Sequence, residues 1–161
     1  FKFADRPVLN RLSQEFEKYS RKFILQPVIK KLDEEQPLEY LSEMRQTTTM
    51  FINILTCPFE IQKMSDILDA AFQIVVRVSD SYLGCLNKVS MFDKGCTFMV
   101  SFGLPGFKHE DEGSYALKAA YQCRKKLIAI KNVWEVSIGV TTGFTFCGVV
   151  GHPLRQEYTV I

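Results

Sequence analysis

The sequence has few of the residues from which zinc sites and cross-linked folds are built. It contains two histidines, one tryptophan and five cysteines among 161 residues, and no two cysteines have the Cys-x-x-Cys spacing. An odd number of scattered thiols argues against a disulfide framework and favours reduced cysteines in a cytoplasmic protein. His109 and His152 lie near no candidate nucleophile, so both are predicted to be surface residues.

Net charge and long apolar runs are equally scarce. Lysine and arginine total 20 against 18 aspartates and glutamates, which is too small a basic excess for a dedicated nucleic-acid-binding surface. No apolar run approaches the roughly 18–20 residues that a membrane-spanning helix needs. We therefore expect no nucleic-acid partner and no transmembrane segment. The chain starts at Phe1 and stops at Ile161 within an apolar segment, which suggests a piece of a longer protein.

Apolar residues, 47% of the chain, follow the periods of helices and strands in turn. Residues 7–32 are typical of a helix that is split at Pro27, and residues 61–82 and 114–131 of two longer amphipathic helices. A short helical turn is predicted at residues 38–44. Strands are predicted at residues 47–55, 86–92, 96–102, 133–142 and 157–161, with a short glycine-punctuated hairpin before the last.

The resulting order, β-α-β-β-α-β, is that of a ferredoxin-like α+β fold, an antiparallel sheet with both long helices on one face. Residues 1–40 are predicted to be a helical extension or linker, and residues 41–161 the globular domain. Such a fold does not fix a function, because unrelated proteins share it. An RNA-binding module of this kind would need exposed aromatics on its central strands, a role open to Phe98 and Phe102.

Four segments, weak singly but specific in combination, resemble the class III nucleotidyl cyclase family. They are LSEMR at residues 41–45, NKVSMFDKG at 87–95, VSIGVTTG at 136–143, and GVVG at 148–151 with YTVI at 158–161. Within that family they are most similar to the second catalytic half of soluble, bicarbonate-responsive adenylyl cyclases. The resemblance covers roughly residues 40–161.

The resemblance implies an enzyme that converts ATP to 3′,5′-cyclic AMP and pyrophosphate between two like-folded halves. One half holds two Mg²⁺ ions (or Mn²⁺ or Ca²⁺) with two aspartates, and the other half recognises the base. Asn53 and Phe92 occupy the two aspartate positions here, and neither side chain suits a hard divalent cation. The metal ions are therefore expected on a partner half, with none bound by this chain.

Base recognition falls, by the resemblance, to Lys88, Thr159 and Val160. Lys88 would donate to adenine N1, which suits an ammonium with donors only. Thr159 would pair with the exocyclic amine, and the Val160 backbone would lie beside it. The alternatives are a solvated lysine and an ordinary strand threonine.

Met91 and Phe92 are similar to the residues that line a second pocket, where the related cyclases bind bicarbonate, although core packing is the alternative for each. The family's catalytic asparagine and arginine would follow Ile161. No catalytic residue is therefore expected among the 161, and the chain alone is expected to be inactive. The competing hypothesis is a catalytically dead pseudo-cyclase domain with a regulatory or dimerisation role.

Overall fold

The computed structural model describes residues 14–35, 37, 40, 42–56, 61–92, 95–152 and 155–161. Over these ranges the chain forms four α-helices and five β-strands. The helices are α1 (Gln14–Ser20), α2 (Gln26–Asp33), α3 (Ile61–Ser81) and α4 (Glu112–Leu127). The strands are β1 (Glu43–Thr56), β2 (Cys85–Phe92), β3 (Gly95–Phe102), β4 (Val133–His152) and β5 (Arg155–Val160).

All five strands belong to one sheet, with the order β2-β3-β1-β4-β5 and antiparallel pairing throughout. This arrangement, with α3 and α4 as the crossovers, confirms the ferredoxin-like α+β prediction. β2 and β5 are the two edge strands. Residues 148–152 of β4 pair with β5 and extend beyond the pairing of β4 with β1, which ends at Glu43 opposite Cys147.

One face of the sheet packs on α3 and α4 and contains the main core. The inward side of α3 carries apolar residues three or four apart, and α4 contributes alanines and a cysteine whose small side chains let it approach the sheet. These positions are almost completely buried: Ile67, Ala71, Val75, Val78, Ala116, Ala119, Ala120 and Cys123. They enclose Ile52 and Phe98 of the sheet, which are 0% and 1% exposed.

The opposite face, which we call the open face, has a smaller apolar cluster and only partial cover. The cluster combines Cys85, Leu104, Cys147 and Val160 with the partly buried Leu25, Met99, Phe107 and Tyr158. Leu25 comes from the chain just before α2, and Val28 of α2 is itself buried. The predicted split at Pro27 is confirmed, because α1 ends at Ser20, a 3₁₀ turn follows, and Pro27 stands in the first turn of α2.

Several predicted boundaries were wrong. β1 begins at Glu43 rather than at residue 47, so the described Glu43 and Met44 are strand and not helical turn, because the end of β4 pairs with them. β4 runs without a break through Gly143 and Gly148, because Gly143 pairs with Thr47 of β1 and Gly148 pairs with Thr159 of β5.

Strict alternation along the predicted strand 133–142 would place Trp134 on the same face as the buried Val136, yet Trp134 is 65% exposed. The register between β1 and β4 shifts at this point, because Leu55 pairs with Glu135 whereas Thr56 pairs with Val133. Such a bulge reverses the alternation of side chains. The buried residue is therefore Val133.

α4 begins at Glu112, two residues before the predicted start, because the Asp111 side chain caps it and accepts a hydrogen bond from the Ser114 amide at 3.0 Å. A hydrogen bond from the Ser114 hydroxyl, together with the one from the Ser114 amide, holds the pKa of the Asp111 carboxyl below its usual value. None of the described helices has the length and apolar content to cross a lipid bilayer.

Candidate nucleotide-binding face

Lys88 projects from β2 onto the open face, opposite Met99 of β3. Its Nζ atom lies 3.2 Å from Oε1 of Glu157 on β5, and the two side chains are 40% and 55% exposed. In a flat sheet the two edge strands would be roughly 19 Å apart, at about 4.8 Å per strand. The sheet must therefore curl, so that the C-terminal end of β4 brings β5 toward β2. We call the surface formed by these two edge strands around Lys88 and Glu157 the wall.

Thr159 and Val160 belong to the β5 side of this wall, but their side chains are not open to solvent. Thr159 is 1% exposed and Val160 is 6% exposed. Thr159 pairs with Gly148 of β4, and its Oγ1 atom has no hydrogen-bond partner among the residues that the structure describes. The backbone of Val160 pairs with Cys147. The structure thus brings the three predicted base-recognition residues to one region, with only Lys88 accessible.

Asn87, which the sequence argument overlooked, lies beside Lys88 where the register of β2 against β3 shifts. Both its Nδ2 and its Oδ1 atoms are buried, and neither finds a hydrogen-bond partner within the described ranges. Leaving such a group unpaired costs roughly 1–3 kcal/mol. Unsatisfied amides of this kind are uncommon in folded proteins and call for a functional or structural explanation.

A cavity of about 410 Å³ adjoins Lys88 and is bordered on one side by residues 23–32. Its polar lining comes from β2 and β5, and most of its apolar lining from the chain around α2. The lining residues are Asn87, Lys88, Gln156, Glu157, Tyr158, Val149, Phe23, Ile24, Leu25, Val28 and Leu32. Burial raises the pKa of the Tyr158 hydroxyl far above its ordinary value, so this group stays neutral.

Asn53 and Phe92, which the resemblance places at the two metal-binding positions, carry no carboxylate. Asn53 lies on the open face of β1, where its Oδ1 atom accepts a hydrogen bond from Thr97 Oγ1 at 3.1 Å. Phe92, at the end of β2, is 64% exposed and has no ligand atom. Within the described ranges, no three His, Cys, Asp or Glu side chains are grouped to hold a metal ion. Asp93, the neighbouring carboxylate, lies outside those ranges.

Met91 and Phe92, the residues predicted to line a bicarbonate pocket, point to opposite faces of β2. Met91 lies opposite Cys96 and lines a cavity against α3, with Met64 and Phe72 among its neighbours. Phe92 is one residue further along and shares the open face with Lys88, since side chains alternate along a strand. The structure therefore does not bring these two side chains together, and their joint role stays a prediction.

The prediction that His109 is a surface residue was wrong. The side chain of His109 is only 12% exposed, because its Nδ1 atom pairs with Glu112 Oε2 at 3.2 Å and its ring stacks on Tyr115 with centroids 3.7 Å apart. Phe98 and Phe102 are 1% and 0% exposed, in the core under α3 and α4. These two residues are therefore not available for the role that the RNA-binding alternative required of them.

No family model matches the chain, but individual relatives and solved structures do. Human adenylate cyclase type 10 is 39% identical over 151 residues, or 91% of this chain. A bacterial light-regulated adenylyl cyclase superposes with a TM-score of 0.72 at 16% identity, over 91% of this chain and 45% of the other. The adenylyl cyclase CyaB from P. aeruginosa gives 0.59 at 21% identity, over 74% and 67%.

The sheet order and the two crossover helices are those of class III nucleotidyl cyclase domains. The chain belongs to that family on the strength of its sequence identity to the adenylate cyclase type 10 proteins. Its curated relatives are adenylate cyclase type 10 proteins of human, rabbit, rat and mouse, at 38–39% identity. The chain spans about 9% of their length.

Proposed function

We propose that this chain is the base-recognising half of an adenylyl cyclase, which pairs with a metal-bearing half to convert ATP to 3′,5′-cyclic AMP and pyrophosphate. The observation that carries the proposal is the accessible Lys88 ammonium, held 3.2 Å from Glu157 on a wall built from both edges of the sheet. Asn53 and Phe92 at the metal positions support the assignment to this half rather than to the other.

The reaction requires the ribose 3′-oxygen to attack the α-phosphate of the same nucleotide, so catalysis rests on positioning and charge neutralisation. In our proposal this chain contributes the positioning of the base. Lys88 donates to the ring nitrogen, while the β5 backbone at Val160 and the apolar open face at Phe92 bound the purine. The metal ions would be held by the carboxylates of the partner half.

We extend the proposal to a bicarbonate site near the end of β2, on the strength of the resemblance. Met91 and Phe92 are 57% and 64% exposed at this edge strand, where a second half can reach both faces. Neither side chain carries a charge, so the groups that neutralise bicarbonate would come from the partner. We also propose a cytoplasmic location, because free thiols are typical of a reducing compartment. The described free thiols are Cys85, Cys96, Cys123 and Cys147.

The test is a cyclase assay with the 161 residues alone and with the same residues in a full-length context that carries a metal-bearing half and the asparagine and arginine that the resemblance predicts. We expect no turnover from the 161 residues alone and magnesium-dependent production of cyclic AMP in the full-length context. Lys88→Glu should lower kcat/KM for ATP at least about tenfold, because it removes a charge-assisted hydrogen bond and places an acceptor against adenine N1.

Lys125→Glu on the exposed side of α4 is the matched control for the change of charge and should leave turnover intact. Robust magnesium-dependent activity of the isolated chain would contradict the assignment of roles. Tight pairing of the two halves without any turnover would instead support the pseudo-cyclase hypothesis.

A further inference from the structure

A β-bulge in β2 places Asn87 outside the regular ladder of the sheet. The residues before and after it pair with Val100 and Met99, which are consecutive on β3, so Asn87 has no partner there. Bulges redirect side chains and are common next to functional sites. Both polar atoms of Asn87 are buried without a hydrogen-bond partner in the part of the chain that the structure describes. The bulge therefore holds a buried amide whose hydrogen-bonding capacity is unused.

Unfilled space lies on both sides of the chain that covers this amide. The cavity of about 410 Å³ includes Asn87 in its lining, and so does a second cavity of about 450 Å³ that lies toward α3. Residues 23–25 border both cavities. Each volume is in the range of small-molecule sites, roughly 300–1,000 Å³. A covering segment with empty space on both sides can shift at little cost in packing.

The lining of the cavity between α2 and β5 favours an uncharged ligand with an apolar body. Among the lining residues that the structure describes, the charged side chains are Lys88 and Glu157, which pair with each other at 3.2 Å. An ion would therefore lose its hydration without gaining an unpaired opposite charge. The Tyr158 hydroxyl stays neutral, because burial raises its pKa. Leu25 and Val28 are among the residues that supply the apolar surface.

We infer that this cavity binds a small neutral molecule with an aromatic or aliphatic body and an amide-like edge, such as a primary amide or a lactam. An asparagine presents a carbonyl acceptor beside an NH₂ donor. An amide edge on the ligand therefore satisfies both polar atoms of Asn87 with two parallel hydrogen bonds, whereas a ketone or an ester can only accept. The inference does not depend on the proposed function, because every lining residue belongs to this chain.

The segment at residues 23–25 must shift before a ligand reaches the amide, because the polar atoms of Asn87 are not accessible to solvent. Phe23 at the rim is 90% exposed, so its ring makes little contact with the fold and is available to close over a bound aromatic body. Leu25 and Val28 hold the segment to the open face. Binding should therefore change the environment of residues 23–28 as well as that of Asn87.

The experiment titrates the isotopically labelled chain with benzamide and with acetophenone, and follows its amide signals by NMR. The two probes have nearly the same shape, but acetophenone carries a methyl group where benzamide carries NH₂. Benzamide should bind with a Kd of about 1 mM, as expected for so small a molecule. Acetophenone should bind at least about fivefold more weakly, because it leaves Oδ1 of Asn87 unpaired. The signals that shift should be those of Asn87 and residues 23–28.

Asn87→Leu replaces the amide by an apolar group of similar volume. In the ligand-free chain it should raise the melting temperature by about 2 °C or more, because it removes a buried donor and acceptor that have no partners. It should also weaken the binding of benzamide about tenfold and abolish the preference over acetophenone. Gln73→Leu, which removes an exposed amide on α3, is the matched control and should leave the affinity for benzamide unchanged.

No binding of benzamide, or equal binding of the two probes, would overturn the inference. An Asn87→Leu chain that keeps the preference for benzamide would do the same. Should Asn87→Leu not fold, the titration of the wild-type chain decides, because benzamide-induced shifts confined to residues outside 23–28 and β2 would place the ligand elsewhere. None of these measurements involves ATP or a second half, so a negative result leaves the proposed function unaffected.

Discussion

The two faces of the sheet differ in how they are completed. The face under α3 and α4 is closed by apolar side chains such as Ile52 and Phe98, which are fully buried. The open face keeps Phe51 and Phe92 44% and 64% exposed, with Asn53 between polar neighbours. The first face therefore supplies most of the stability, and the second is available for recognition of a ligand or a second half.

Buried polar groups reinforce the difference. Within the described residues, five carry buried side-chain atoms without hydrogen-bond partners: Ser79, Asn87, Ser101, Tyr158 and Thr159. Folded proteins satisfy nearly all such groups. Ser79 belongs to α3, whereas the other four belong to β2, β3 and β5, the strands that build the open face and its β5 wall.

Substitution of one phenylalanine on each face should give the largest contrast. Phe98→Ala should lower the free energy of unfolding by about 3–5 kcal/mol, because it leaves a cavity in the main core. Phe92→Ala removes the same ring from the open face, where the Phe92 residue is already 64% exposed. It should change the free energy of unfolding by less than about 0.5 kcal/mol. Urea unfolding measures both, and equal losses would refute the contrast.

Two glycines of β4 provide a smaller contrast. A Cβ at Gly148 would lie 2.6 Å from Ser42 Oγ and 2.7 Å from the Phe146 ring, whereas one at Gly143 would meet nothing within 4 Å. Gly148→Ala should therefore destabilise the fold by about 1–3 kcal/mol through overpacking, and Gly143→Ala should be close to neutral. Thermal unfolding monitored by circular dichroism compares the two variants. An unchanged melting temperature for Gly148→Ala would contradict the predicted overpacking.

A substitution in α2, which covers part of the open face, should have a smaller effect on stability. Val28→Ala removes two methyl groups from a side chain that is 6% exposed, at a cost of about 1 kcal/mol. The neighbouring Leu25 packs against the cluster that contains Cys85, so loosening of α2 should expose this thiol. In Val28→Ala, the rate of alkylation of Cys85 should therefore rise relative to that of Cys123 in the main core. Mass spectrometry of the alkylated peptides follows both, and an unchanged ratio would mean that α2 does not control access to Cys85.

The smallest effect concerns pH. Burial raises the pKa of the Cys85 and Cys123 thiols to about 11, above the ordinary value for a cysteine. The native state therefore holds these protons when the unfolded chain has lost them, so stability falls as pH rises from about 9 to 11. At pH 9.5 the loss should be under about 1 kcal/mol per thiol. Cys123→Ala should flatten this part of the urea-unfolding profile, and an identical pH profile would disprove the contribution.

Local periodicity predicted the elements that depend on near neighbours. The bounds of α3, β2 and β3 agree with the pattern of apolar residues to within one residue, and the split at Pro27 follows from a missing backbone donor. Predictions failed where distant strands decide the outcome. Gly143 was interpreted as the start of a turn, but pairing with Thr47 keeps it in β4.

The amino-acid sequence by itself determined which chemistry is present: an amide and a phenyl ring at the two positions where the resemblance predicts metal-binding aspartates, and a lysine in a segment predicted to be a strand. The tertiary structure alone decided which groups are accessible and which meet. Lys88 and Glu157 are 69 residues apart along the chain, and they touch because the sheet curls until its edges approach. That curl depends on the register of the strands, on the bulges within them and on the helices that cover the sheet. No local pattern of residues therefore encodes it.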